Sequence, residues 1–338
     1  MLAVVKAGPG PGFVVQSAPE PTLQPGWVLI RVRAVGICGT DLPIFEGVRA
    51  VPYPLIPGHE FAGDIVAVAE DVTEWQVGDR VAAGLVIGCG RCIMCRQGQE
   101  NLCPDIREIG IHINGAFAEY VRAPASSLHR LPETMSYIDG ASIDPVASTY
   151  RGIRRLAPQP HEHVVIFGVG PIALYALQSI RAAGVATLTV IARHGGIRTQ
   201  TALALGADCV VESEHDDPAA RVAEITHGTM ADLVIEATGN PDVLSLLPMV
   251  CRPQARILLA GIFHHHAPFN PAPIVRRELR IEGTFCYNWM DFALSRDLIA
   301  TGRVSPQCLV THVLPLAAIG EGLTLLHQRA AIKVILTP

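Results

Sequence analysis

Val164-Val165-Ile166-Phe167-Gly168-Val169-Gly170-Pro171-Ile172-Ala173 decides the fold of the middle of this chain. The four apolar residues form an unbroken run, as in a strand buried on both faces. A glycine turn follows, and then a helical pattern from Pro171 to Ala183. In that context Gly168 and Gly170 let backbone N–H groups approach a pyrophosphate at a helix N-terminus, where the helix dipole favours anions. Pro171 and Ile172 open the helix, and Ala173 takes the place of the third glycine, an allowed variant. The plainer alternative is a tight strand-to-helix turn with no ligand. The strand–turn–helix context weighs against it.

Outward from that turn the same texture continues. Leu188-Thr189-Val190-Ile191, Cys209-Val210-Val211, Leu233-Val234-Ile235-Glu236 and Arg256-Ile257-Leu258-Leu259-Ala260 read as strands. Helical stretches near Arg198–Leu205 and Pro218–Thr226 alternate with them. Strands alternating with helices imply βαβ units and a doubly wound parallel sheet. This α/β cofactor domain is expected over residues 146–285.

The end of the second strand selects the cofactor. An Asp or Glu there normally bonds the adenosine ribose of NAD. Here the chain reads Val190-Ile191-Ala192-Arg193-His194, with no acid and a cation instead. Arg193 suits a 2′-phosphate, which a carboxylate would repel, so NADP is favoured over NAD. Arg198 is a second candidate cation. A solvated loop arginine is the competing reading of Arg193.

Residues 1–145 have short alternating runs separated by Gly and Pro, such as Trp27–Val35, Phe61–Val68 and Asp79–Ala83. They predict a small, mainly antiparallel β-domain with long functional loops. Two metal motifs lie in it. Cys89, Cys92, Cys95 and Cys103 fall within fifteen residues, between Gly88, Gly90 and Gly98. Four thiolates at this spacing suit a closed structural zinc site; an iron–sulfur cluster is the other option and fits the neighbouring motifs less well. The stretch from Cys38 through Thr40 and Asp41 to His59 and Glu60 gathers a thiol, a hydroxyl, an imidazole and carboxylates. Those are zinc-preferring ligand types beside a proton-carrying hydroxyl.

Together these residues resemble the zinc-dependent medium-chain alcohol dehydrogenases, in particular the polyol (sorbitol, sugar-alcohol and threonine) dehydrogenase branch. The segments that carry the likeness are Val35–Asp41, Gly58–Phe61, Val77–Val81, the four-cysteine lobe (88–104), Gly115–Tyr120, the glycine turn and Glu236–Gly239. The resemblance implies a GroES-like catalytic domain, 1–145 and 286–338, split around a Rossmann domain, 146–285. It implies two zinc ions per chain, one catalytic and one structural, and a homodimer or homotetramer.

Carried over residue by residue, Cys38 and His59 are catalytic zinc ligands. Glu60 ligates or sits just behind the metal. Thr40 passes the alcohol proton toward the ribose and solvent. The remaining ligand position falls on Asp144, where many relatives have Cys or Glu; its shorter arm leaves direct and water-mediated contact both open. Thr149, Gly261 and Thr284 are expected near the nicotinamide, and Lys333 near the pyrophosphate.

Composition sets the outer bounds. The 338 residues are 49% hydrophobic and 17% charged, enough to bury a large core. A net charge of −5 argues against a nucleic-acid or anionic-membrane partner. The chain starts directly in a strand-like alternation, so a cytoplasmic protein is expected. The nine cysteines are an odd number, and four cluster as metal ligands, which argues against a disulfide framework. His264-His265-His266 reads as a cofactor-side loop, Arg49 as a solvated cation or a substrate-anion contact, and Tyr53 and Trp289 as walls or packing.

The leading expectation is hydride transfer between a secondary alcohol (polyol, sugar acid or related small hydroxy compound) and NAD(P). The alternatives are a reductase of simple ketones or aldehydes, and a non-enzymic cofactor-binding sensor. A sensor is expected to lose Cys38, Thr40 or His59, and all three are present.

Overall fold

The computed structural model describes residues 1–266 and 269–338. The chain folds as two compact units, residues 1–147 with 287–338, and residues 148–286.

In the second unit the strands lie in the spatial order Cys209–Glu212, Thr187–Ala192, His163–Phe167, Ala231–Glu236, Cys251–Leu259, Arg280–Gly283. Every neighbouring pair is parallel. The order reverses at His163–Phe167, which makes its C-terminal end the switch point where doubly wound sheets bind ligands. Val164, Val165, Ile166 and Phe167 are all buried, as a strand covered on both faces requires. Gly168 follows with φ of 117°, which a side chain would strain. Helix Pro171–Arg181 then begins, with Pro171 in its first turn, where a missing N–H costs nothing.

The first unit is built on a sheet running Val310–Pro315, Lys333–Thr337, Trp27–Gly36, Glu60–Val68, Arg80–Ala83, Leu128–Arg130, with Tyr120–Pro124 also pairing Trp27–Gly36. Its pairings are antiparallel except between Val310–Pro315 and the closing strand. Val28, Ile30, Val32, Phe61, Ile65, Val81, Phe117 and Val121 fill its core. Residues 287–338 thus pack with residues 1–147.

Element types agree with the sequence pattern, and the ends differ by a few residues. The amphipathic pattern over Phe292–Thr301 predicts a tail helix, and the helix runs Trp289–Ala300, starting three residues earlier. The reason is local: Asn288 caps it, accepting from Asp291 N, while the Asp291 carboxylate accepts from Asn288 N. No helix among the described residues is long and apolar enough to cross a membrane.

Candidate metal and cofactor sites

Strand register assembles the first site. Gly36, ending one strand, pairs with Glu60, which begins the next. Cys38 and His59 are therefore brought alongside each other just past that pair. The donor atoms of Cys38, His59 and Glu60 lie within 4.8 Å of one another. A thiolate, an imidazole and a carboxylate are the donors that a catalytic zinc site combines, and three leave a coordination position for substrate.

Each donor is held by a neighbour. Asp41 is fully buried; its Oδ2 accepts from Cys38 N at 2.8 Å, and its Oδ1 lies 3.9 Å from His59 Nδ1. Neither of those two atoms has a hydrogen-bond partner among the described residues, and the carboxylate lies on the Nδ1 side of the ring. Thr40 Oγ1 lies 3.4 Å from His59 Nε2. Burial opposes a charge on His59, but Cys38, Asp41 and Asp144 raise its pKa well above 6.5. Glu60 accepts from the Lys333 ammonium, which also donates to Ile37 O at 3.0 Å. Gly36 makes this possible, because a Cβ there would collide with Glu60 Oε2 and come within 3.1 Å of Lys333 Nζ.

The structure places two of the expected site residues as follows. Lys333, expected near the cofactor pyrophosphate, is 2% exposed, and its ammonium donates to Glu60 and to Ile37 O. Asp144 falls outside the three-donor group among the described residues. It is buried in the first turn of helix Ile143–Leu156, and its Oδ2 accepts the Tyr287 hydroxyl. Burial, with Glu60 alongside, pushes its carboxyl up to about 7 against the pull of His59. Sequence reasoning missed both partners. Lys333 did carry a signal, a lysine opening an otherwise apolar strand, whereas nothing in the sequence pairs Tyr287 with Asp144.

The second metal motif closes on itself. The sulfurs of Cys89, Cys92, Cys95 and Cys103 also lie within 4.8 Å of one another. Backbone N–H groups point at them: Cys89 N at Cys103 Sγ (3.3 Å), Cys92 N at Cys89 Sγ and Cys95 N at Cys92 Sγ (both 3.4 Å). Such donors favour thiolate over thiol, and the backbone N–H groups of Arg91 and Cys92 lower the Cys89 pKa to about 6. Four sulfur donors fit a structural zinc with no position left for substrate.

In the second unit, Gly168, Gly170, Pro171, Ile172 and Ala173 form the turn and first helical residues past strand His163–Phe167. A Cβ on Gly170 would meet nothing within 4 Å, so this face of the turn is open to a ligand. The second turn, Glu236–Gly239, is locked by Glu236 Oε1, which accepts from Thr238 N (2.6 Å) and Gly239 N (3.0 Å). Gly261 packs so closely on Gly239 that a Cβ would collide with its nitrogen. Arg193 is exposed and pairs with Glu214 at 2.9 Å. Arg198 is half-buried in helix Ile197–Ala204. Thr149 is buried, and so is Thr284 Oγ1, which has no hydrogen-bond partner among the described residues. The three histidines 264–266 are exposed. Arg49 lies 3.9 Å from Glu108.

Residues 24–133 match the alcohol dehydrogenase GroES-like domain, and residues 171–301 match the zinc-binding dehydrogenase family. The chain is 32% identical to the sorbitol dehydrogenase of Halalkalibacterium halodurans, covering 100% of this chain and 99% of that protein. An alcohol dehydrogenase of Escherichia coli solved with NADH superposes with a TM-score of 0.94 at 29% identity, over 100% of this chain and 99% of that one. A zinc-binding dehydrogenase of Sinorhizobium meliloti bound to NADP gives 0.94 at 28% identity, over the same shares. Sequence, fold and donor geometry converge: this chain belongs to the zinc-type medium-chain alcohol and polyol dehydrogenases, enzymes that move hydride between an alcohol and NAD(P).

Proposed function

We propose that the protein oxidises a secondary hydroxyl of a polyol, sugar acid or related small hydroxy compound, with NADP preferred to NAD. The observation that carries this reading is the convergence of Cys38, His59 and Glu60 with the Thr40 hydroxyl 3.4 Å from His59 Nε2. Cys38, His59 and Glu60 would hold zinc, which when bound supplies a Lewis acid that lowers the pKa of an alcohol. The nicotinamide supplies the hydride acceptor.

The chain's own residues do the rest. Thr40 Oγ1 takes the proton of the substrate hydroxyl and passes its own onward. Asp41 holds the Cys38 backbone N–H and faces His59 Nδ1, and Lys333 pairs with Glu60 inside a buried pocket. The open glycine turn at Gly168–Gly170 offers its N–H groups to the pyrophosphate. Arg193, at the end of the second strand where no acid stands, offers a guanidinium to a 2′-phosphate; its present partner, Glu214, is exposed and exchangeable. Cys89, Cys92, Cys95 and Cys103 would hold a second, structural zinc.

The sorbitol dehydrogenase relative supports a polyol over a simple ketone. The test is a screen of polyols, sugar acids and simple ketones with both cofactors at matched concentrations. A polyol or sugar acid turned over with higher kcat/KM for NADP is the expected result. Turnover of simple ketones alone would overturn the substrate class, and a preference for NAD would overturn the cofactor assignment.

A further inference from the structure

We propose that Tyr287 is a positioning residue of this site: its hydroxyl holds Asp144 outside the Cys38–His59–Glu60 donor set and so keeps one coordination position free for substrate. This rests on the zinc reading above and deepens it.

The direction of the hydrogen bonds is fixed by chemistry. The Tyr287 oxygen lies 3.0 Å from Leu85 N, and a backbone N–H only donates. The tyrosine oxygen is therefore the acceptor there, and its own proton goes to Asp144 Oδ2. The hydroxyl is thus engaged on both sides, accepting from Leu85 N and donating to Asp144.

The ring is as constrained as its hydroxyl. Tyr287 is 2% exposed and packs against Phe292 with centroids 5.3 Å apart. Gly84 leaves room for it: a Cβ at Gly84 would already lie 3.3 Å from Tyr287 Cε2 and 3.9 Å from Phe292 Cδ2. Gly84 is itself pinned, its N–H donating to Ser127 O at 2.9 Å. A ring wedged in such a slot delivers its hydroxyl to one place.

Asp144 needs that hydroxyl. It is 4% exposed, and a buried carboxylate without a partner is costly. The charges around it are His59, Glu60 and Lys333, of which Lys333 is already spent on Glu60 and Ile37. Release from Tyr287 would leave a buried carboxyl without its hydrogen-bond donor beside the three-donor site, where a bound metal would favour its ionised form and draw it in. Ligation by Asp144 would then fill the position a substrate hydroxyl needs.

The test replaces the catalytic zinc by cobalt(II), whose visible absorption reports its ligands, in wild type and in Tyr287→Phe, Asp144→Asn and the double variant. Wild type and Asp144→Asn should share one spectrum, because Asp144 is not a ligand. Tyr287→Phe should shift the spectrum and raise KM at least tenfold. Adding Asp144→Asn to it should restore the wild-type spectrum. A Tyr287→Phe spectrum like wild type would overturn the proposal, and so would a shift that persists in the double variant, which would mark mere loss of packing. Asp144→Asn also decides without any change at Tyr287, since a shift in that variant alone would make Asp144 a direct ligand and sink the idea. Metal uptake confined to the four-cysteine lobe in wild type would instead remove the catalytic-zinc reading itself.

Discussion

The Lys333 ammonium and the Glu60 carboxylate form an ion pair in which both side chains are almost wholly buried, at 3% and 1% exposure. The pair exists because Gly36 has no side chain to stand between its members. It couples the closing strand of the chain to a candidate metal ligand some 270 residues earlier.

Removing one partner of a buried pair is costly because the other charge is stranded. Lys333→Met should destabilise the metal-free protein by about 3 kcal/mol. Lys333→Met combined with Glu60→Gln should recover part of that loss. Urea denaturation of the two single variants and the double variant measures the coupling, and additive effects would show that the pair contributes nothing.

Thr40→Val keeps the shape of the side chain and removes its proton. A decrease in kcat of about 10²-fold, with metal content unchanged, is expected for loss of a proton-transfer group. Unchanged kcat would take Thr40 out of the proton path.

Metal analysis of the wild type should find about two zinc ions per chain, and about one after Cys92→Ser, since a four-sulfur site loses its closed shell with any one ligand. One zinc in the wild type, abolished by Cys92→Ser, would leave Cys38, His59 and Glu60 without a metal.

Arg193→Ala should raise KM for NADP about tenfold or more, the worth of a charge-assisted hydrogen bond, while KM for NAD stays within about twofold. Steady-state kinetics with each cofactor decides it. Equal changes for both would mean that Arg193 does not read the 2′-phosphate.

His129 gives a pH signature. Burial first, and then the Arg296 cation, push its pKa from 6.5 down to about 3. Between those values the unfolded chain binds a proton that the folded protein refuses. Stability from this group is complete above pH 6.5 and falls as pH drops toward 3, by up to about 1.4 kcal/mol per pH unit. His129→Phe, which keeps a ring between Trp289 and Phe292, should flatten that slope relative to wild type. Parallel pH profiles for the two proteins would rule out the assignment.

Much of the molecule could be read from the chain alone, because its signals are local. An apolar run followed by Gly168 and Gly170 and then Pro171 can fold in few ways, and each step depends only on near neighbours. The spacing of Cys89, Cys92, Cys95 and Cys103 is likewise a short-range matter, since four sulfurs within one loop meet whatever surrounds them. Helix ends were less certain: the Asn288–Asp291 cap started the tail helix earlier than its apolar pattern suggested.

The sequence by itself determined the parallel-sheet unit, the four-sulfur lobe and the identity of Cys38, His59 and Glu60 as metal-type donors. Only the tertiary structure decided how the buried groups around them are paired: that Lys333 pairs with Glu60, and that Asp144 accepts the Tyr287 hydroxyl. Those partners are set by strand register, by burial and by the space two glycines leave, and none of the three is a property of neighbouring residues along the chain.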